Sequence, residues 1–156
     1  MAIVRSAPIQ IAFLTQDFKW RIAIERLRSP LAVWQAQSLS EWNELAALVR
    51  HDPNTLSVVE VTSPDIPNWL RRIGSLRRLS PAHRTVIVGG TELRGLAGIF
   101  IEAGAVACGF SVRDCLRLAE LIERFERSCL PQTLDLRESI FGSLPWPTSA
   151  KHASTE

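Results

Sequence analysis

Short, continuous apolar runs alternate along this chain with longer segments in which apolar residues recur every three or four positions. The first pattern is that of strands buried on both faces, and the second that of helices with one buried stripe. "IQIAFL" (Ile9 to Leu14) is such a run, followed by the polar turn "TQD" and then by "FKWRIAIERLRS", where Phe18, Ile22, Ile24 and Leu27 predict one inward face and Pro30 the end of the helix. "LAVWQAQ" predicts a second strand. "SLSEWNELAALVRHDP" predicts a second helix, with Ser38 and Glu41 at capping-box spacing and Leu39, Trp42, Leu45, Leu48 and Val49 as its stripe. The series continues with a strand "LSVVEVT", a helix "NWLRRIGSLRRL", a strand "RTVIVGG", a helix "TELRGLAGIFIEAG", a strand "AVACGF" and a long helix "SVRDCLRLAELIERFERSC". Five strands alternating with five helices predict an α/β fold: a doubly wound, five-stranded parallel sheet, (βα)5, with helices on both faces.

Pro131 stops the last helix, which places the domain at residues 1–129 and a C-terminal extension at 130–156. In that extension "LDLRESIFGSL" suits a short helix, Pro145 and Pro147 bracket Trp146, and the polar residues from Thr148 onward are expected to be disordered.

Composition narrows the function classes. The chain has 156 residues, 46% hydrophobic, and a formal net charge of +2. That near-neutral balance gives no general attraction to nucleic acid or membrane. No apolar run reaches the length of a membrane span, and "MAIVRSAPIQ" lacks the parts of a signal peptide, so the expected compartment is the cytoplasm. Cys108, Cys115 and Cys129 have no CxxC spacing and read as reduced thiols, leaving no support for a metal site. His51, His83 and His152 stand beside prolines and polar residues and read as surface loop positions. Arg71, Arg72, Arg77 and Arg78 form the densest basic cluster, but no aromatic or glycine-rich nucleic-acid motif accompanies them, so they read as a solvated helix face.

Three features bear on chemistry. Glu60 is a single acid among the β-formers of "TLSVVEVTSP", and a lone buried carboxylate is costly unless it reaches solvent or is paired. Gly89 and Gly90, before a helix opening at Thr91, form a turn whose N–H groups could meet an anion; a tight strand-to-helix connection explains the same pattern. On the fourth helix, Leu93, Leu96, Ile99 and Phe100 belong to an apolar arc of about 200°, where a helix facing only a core needs about 100°. That surplus predicts a protein interface, unless the C-terminal extension covers it.

The order and spacing of these elements resemble the receiver domain of two-component response regulators, over about Ile9 to Arg127. The specific marks are Glu60 with Pro64 four residues on, the turn after the fourth strand, and Gly104-Ala105 leading into the fifth. The resemblance implies a flavodoxin-like fold and a phospho-acceptor cleft at Thr15, Gln16, Asp17, Glu60, Gly90 and Ser111, in which each chemical part has been replaced. Thr15 and Gln16, with Asp17 next, stand where receivers carry a Mg²⁺-binding acidic pair. Glu60 stands for the acceptor aspartate, Gly90 for a hydroxyl residue, Ser111 for a lysine and Cys108 for the switch aromatic. Such a site is poor for phosphoryl transfer, which needs a hard cation on several oxygens and a fixed positive charge beside the product.

The sequence thus predicts a non-phosphorylatable, receiver-like regulatory module, not an enzyme and with no cofactor, acting by contact with a protein partner or as a homodimer. The alternative is a small-ligand or anion sensor using the cleft at the carboxyl edge of the sheet.

Overall fold

The computed structural model describes residues 8–16, 18–62 and 65–129. The strands are β1 (Gln10–Leu14), β2 (Gln35–Leu39), β3 (Leu56–Val61), β4 (Arg84–Gly89) and β5 (Ala105–Gly109). The helices are α1 (Lys19–Arg26), α2 (Trp42–His51), α3 (Ile66–Leu79), α4 (Ala97–Ala103) and α5 (Cys115–Cys129). The sheet is parallel throughout, in the order β2-β1-β3-β4-β5. Crossover helices must then cover both faces, which is why the central strands are apolar on consecutive positions.

Alternation along the strands divides the core in two. Ile11, Phe13, Val58, Val86 and Val88 face α1 and α5, packing on Trp20, Ile24, Leu118 and Ile122. Ala12, Val59, Val61 and Ile87 face the other way, onto Leu45, Val49, Trp69, Ile73, Leu76 and Phe100 of α2, α3 and α4. Gly104 closes α4 at φ +122°, a backbone conformation that side chains with a Cβ rarely adopt.

Several local expectations are corrected. On α1 the inward residues are Trp20 and Ile24, whereas Phe18, Ile22 and Leu27 are exposed. The second strand begins at Gln35, not Leu31, because Trp34 turns fully into the core ahead of it. The α2 cap lies three residues later than predicted. Glu41 is the N-cap and forms a reciprocal box with Glu44, while Ser38 lies in β2 and its hydroxyl accepts from Arg21 at 2.7 Å. The fourth helical segment is two pieces, a 3-10 turn at Thr91–Leu96 and then α4, so a single-helix wheel does not describe it.

His83 is buried, contrary to its reading as a loop surface residue. Its Nδ1 lies 2.7 Å from Thr55 Oγ1 and its Nε2 3.0 Å from Ser57 Oγ. Both ring nitrogens are therefore hydrogen-bonded at the amino edge of the sheet, and burial, ahead of the opposing hydrogen bond with the Thr55 backbone, lowers the pKa to about 4. The extension from residue 130 lies outside the described residues, and with it the expected helix around Phe141 and the turn at Trp146.

Candidate functional site

All five strands of a parallel sheet end on one edge, and the loops there converge around the point where the strand order reverses, between β1 and β3. Thr15 and Gln16 follow β1 directly. Glu60 is the penultimate residue of β3, pairing in register with Val88, and alternation from Val58 sends it toward the α1 side.

Instead of reaching solvent, the Glu60 carboxylate is 7% exposed. Its Oε2 accepts the Gln16 backbone N–H at 2.8 Å, and Lys19 Nζ stands 3.8 Å from Oε1. A backbone donor and a nearby ammonium supply the pairing that a buried carboxylate requires. Asp17 lies outside the described residues.

The remaining predicted positions are engaged elsewhere. A Cβ on Gly89 would lie 2.8 Å from Leu93 Cδ1 and 3.2 Å from the Val61 carbonyl oxygen, and one on Gly90 would run into the Glu92 carboxylate. The glycine pair therefore permits close packing of the β4 end, and Thr91 opens the 3-10 turn on the surface. Ser111 does not turn toward Glu60. Its backbone N–H donates to Asp114 Oδ2 at 3.1 Å and its hydroxyl lies 3.4 Å from the same oxygen. Asp114 also accepts from the Phe110 N–H at 2.8 Å and sits 3.6 Å from Arg94. The Phe110 donor, with further help from Ser111, Arg94 and Arg117, holds its carboxyl below the ordinary range against the opposing effect of burial. Asp114 was missed in the sequence, although Ser111-Val112-Arg113-Asp114 has the spacing of a capping box. Cys108 is buried and its thiol is pushed up to about 11 by burial, with Arg117 pulling the other way, so it remains protonated.

Two surface depressions result. The first, of about 220 Å³, lies over the ends of β1 and β3 and is lined by Leu14, Thr15, Gln16, Ser40, Trp42, Glu60, Thr62, Trp69 and Arg72. Trp42, at the start of α2, and Trp69, on α3, meet edge to face with centroids 6.3 Å apart. The Arg72 guanidinium lies 5.4 Å from each ring centroid. By sequence Trp42 belongs to a buried helix stripe and Arg72 to a solvated face; the contact with Trp69 joins two helices and has no local signature.

The second, of about 520 Å³, runs between α4, β5 and α5. Its apolar lining includes Ala97, Ile101, Val106 and Leu121, with Arg94, Arg117 and Arg124 around it. Of the residues predicted for an interface, Phe100 is fully buried and belongs to the core, Leu93 and Leu96 are half-buried against that core, and Ile99 is 43% exposed. The correction follows from the 3-10 turn, which rotates Leu93 and Leu96 relative to an unbroken α-helix. The large apolar residues exposed in this part of the chain are Ile99, Ile101, Val106, Val112 and Leu116, of which Ile101 and Val106 line the groove.

No protein-family model and no curated protein matches the chain. Solved structures do. A response regulator from Thermotoga maritima superposes with a TM-score of 0.63 at 14% identity, covering 78% of this chain and 99% of that one. A putative CpaE2 pilus assembly protein from Sinorhizobium meliloti gives 0.59 at 18% identity, over 75% of this chain and 99% of that one. A CheY-like protein, TadZ, from Pseudomonas aeruginosa gives 0.57 at 17% identity, over 77% and 94%. At such identities the likeness concerns the fold, and it agrees with the 2-1-3-4-5 strand order: the chain has the CheY-like receiver-domain fold.

Proposed function

We propose that this chain is a receiver-like regulatory module that does not carry a phosphoryl group and works by protein contact through the α4–β5–α5 face. The observation that carries the reading is the groove on that face. Ile101, Val106 and Leu121 give it an apolar floor, and Arg117 and Arg124 make no ion pair among the described residues. An apolar strip with a polar, charged margin is the anatomy of a contact surface. A homodimer would pair this strip with itself about a two-fold axis.

The cleft supports the other half of the proposal. Glu60 already accepts a backbone N–H, the serine in the place of the receiver lysine is tied to Asp114, and Gly90 has no hydroxyl to offer. The likeness to proteins named for pilus assembly as well as to response regulators favours a role in assembly contacts over phosphorelay.

The test has two arms. Incubation with acetyl phosphate and Mg²⁺ should leave the intact mass unchanged; an adduct that disappears in Glu60→Gln would refute the loss of phosphotransfer. Light scattering should show a dimer that Ile101→Glu, at an exposed position in the groove itself, converts to a folded monomer. A wild-type chain that is monomeric at tens of micromolar would exclude the homodimer.

A further inference from the structure

The cleft over β1 and β3 is on a different face from the contact groove, and its chemistry is distinct. It brings together two opposite charges that do not meet. Glu60 and Arg72 both line a space of about 220 Å³, yet the ion pair of Glu60 is with Lys19, and among the described residues the Arg72 guanidinium is paired with no carboxylate. Arg72 is held by the two indole rings instead. These are contacts with the ring π-systems and use none of the guanidinium N–H donors on a carboxylate, so an acceptor can still be bound there. Glu60 has capacity left as well: Oε2 has its backbone donor, whereas the Lys19 ammonium, at 3.8 Å, is beyond hydrogen-bond distance of Oε1.

Each simpler class of ligand meets an obstacle. A purely anionic ligand drawn to Arg72 would lie beside the Glu60 carboxylate, and a purely cationic one drawn to Glu60 would lie beside Arg72 and Lys19. A ligand that carries both an ammonium and a carboxylate satisfies both groups. Trp42, half-buried, lines the same space beside the more deeply buried Trp69 and offers an apolar wall to a side chain. Size sets the upper bound, because the space falls below the roughly 300–1,000 Å³ of sites that enclose drug-sized ligands. We infer that this cleft is a binding site for a free, zwitterionic α-amino acid with an apolar side chain, its ammonium on Glu60, its carboxylate on Arg72 and its side chain against Trp42 and Trp69.

This site makes the module a ligand-responsive one, and it stands whether or not the α4–β5–α5 face binds a partner. Trp42 and Trp69 provide the assay, since a bound ligand changes their surroundings directly. The 156-residue chain is titrated with L-leucine, then with each other standard L-α-amino acid, following tryptophan fluorescence and the melting temperature; a ligand raises stability by RT ln(1 + [L]/Kd), so concentrations up to about 10 mM suffice to see millimolar affinity. The expected result is saturable binding of L-leucine or another apolar amino acid. N-acetyl-leucine, which lacks the ammonium, and leucine amide, which lacks the carboxylate, should each bind at least about tenfold more weakly to the wild-type chain, as loss of a charge-assisted hydrogen bond requires. Glu60→Gln and Arg72→Gln, checked for fold by circular dichroism, should weaken L-leucine to a similar extent. If Arg72→Gln disturbs the indole packing, the two blocked leucines on the wild-type chain decide the matter alone. No response to any amino acid, equal binding of the blocked and free forms, or a response only to inorganic phosphate or a nucleotide would overturn the assignment.

Discussion

Mild acidification should destabilise the protein through His83. The side chain is 5% exposed, between the hydroxyls of Thr55 and Ser57, which are themselves fully buried. A neutral imidazole suits that setting, because one ring nitrogen donates and the other accepts while each hydroxyl can take either role. Protonation places a charge in the space without supplying a counter-ion. Burial is the main cause of the lowered value of about 4, against 6.5 for an ordinary histidine, and the positive charge of Arg84 adds to it.

The sign follows from linkage. Between pH 6.5 and about 4 the unfolded chain binds a proton at this histidine and the folded chain does not, so stability falls as pH falls. The contribution is complete above pH 6.5 and is lost progressively down to about pH 4, and at 1.36 kcal/mol per pKa unit it amounts to about 3 kcal/mol. Urea unfolding of the wild type and of His83→Gln at a series of pH values isolates the effect, because the carboxylates titrate in both. The wild type should lose about 3 kcal/mol more than the variant between pH 7 and 4. Titration of the imidazole by NMR gives the folded value directly. A folded pKa above 6, or parallel pH profiles for the two proteins, would refute the argument.

The other predictions concern single contacts. Gly104→Ala should destabilise by about 1–2 kcal/mol in urea unfolding, because φ +122° lies outside the range an L-side chain adopts readily and the new Cβ would stand 3.1 Å from Arg77 Cδ. Asp114→Ala should cost about 1–2 kcal/mol through loss of the cap over Phe110 and Ser111; since its pKa is lowered in the fold, the wild-type advantage should be present at neutral pH and disappear as pH falls through the folded value. Phe100→Ala should cost about 3–5 kcal/mol as a core cavity mutant, whereas Ile99→Glu, one residue away and 43% exposed, should leave the melting temperature nearly unchanged.

The alternation of elements and the parallel sheet were legible in the sequence because each depends on neighbours within one turn or one strand. A run such as Val58, Val59 and Val61 can be satisfied only by cover on both faces, and that demand, repeated five times with amphipathic segments between, leaves little choice of fold class. Phe18, Ile22 and Leu27 show the limit of the same reasoning. Apolar spacing identified a helix, but which side of it faced the sheet depended on where Trp20 and Ile24 met α5. The 3-10 turn before α4 likewise redirected Leu93 and Leu96, through close packing at Gly89 that no periodicity records. The candidate sites lay further from view. Thr55, Ser57 and His83 are brought together by the β3–β4 pairing, and Glu60, Trp42, Trp69 and Arg72 by the convergence of β3, α2 and α3 around the end of the sheet. Taken singly in the sequence, these residues are an acid in a strand, two core aromatics, a surface arginine and a loop histidine. Their charges and hydrogen bonds acquire partners only when segments distant in the chain become neighbours, so burial and pairing, and with them the chemistry, were decided by the tertiary structure.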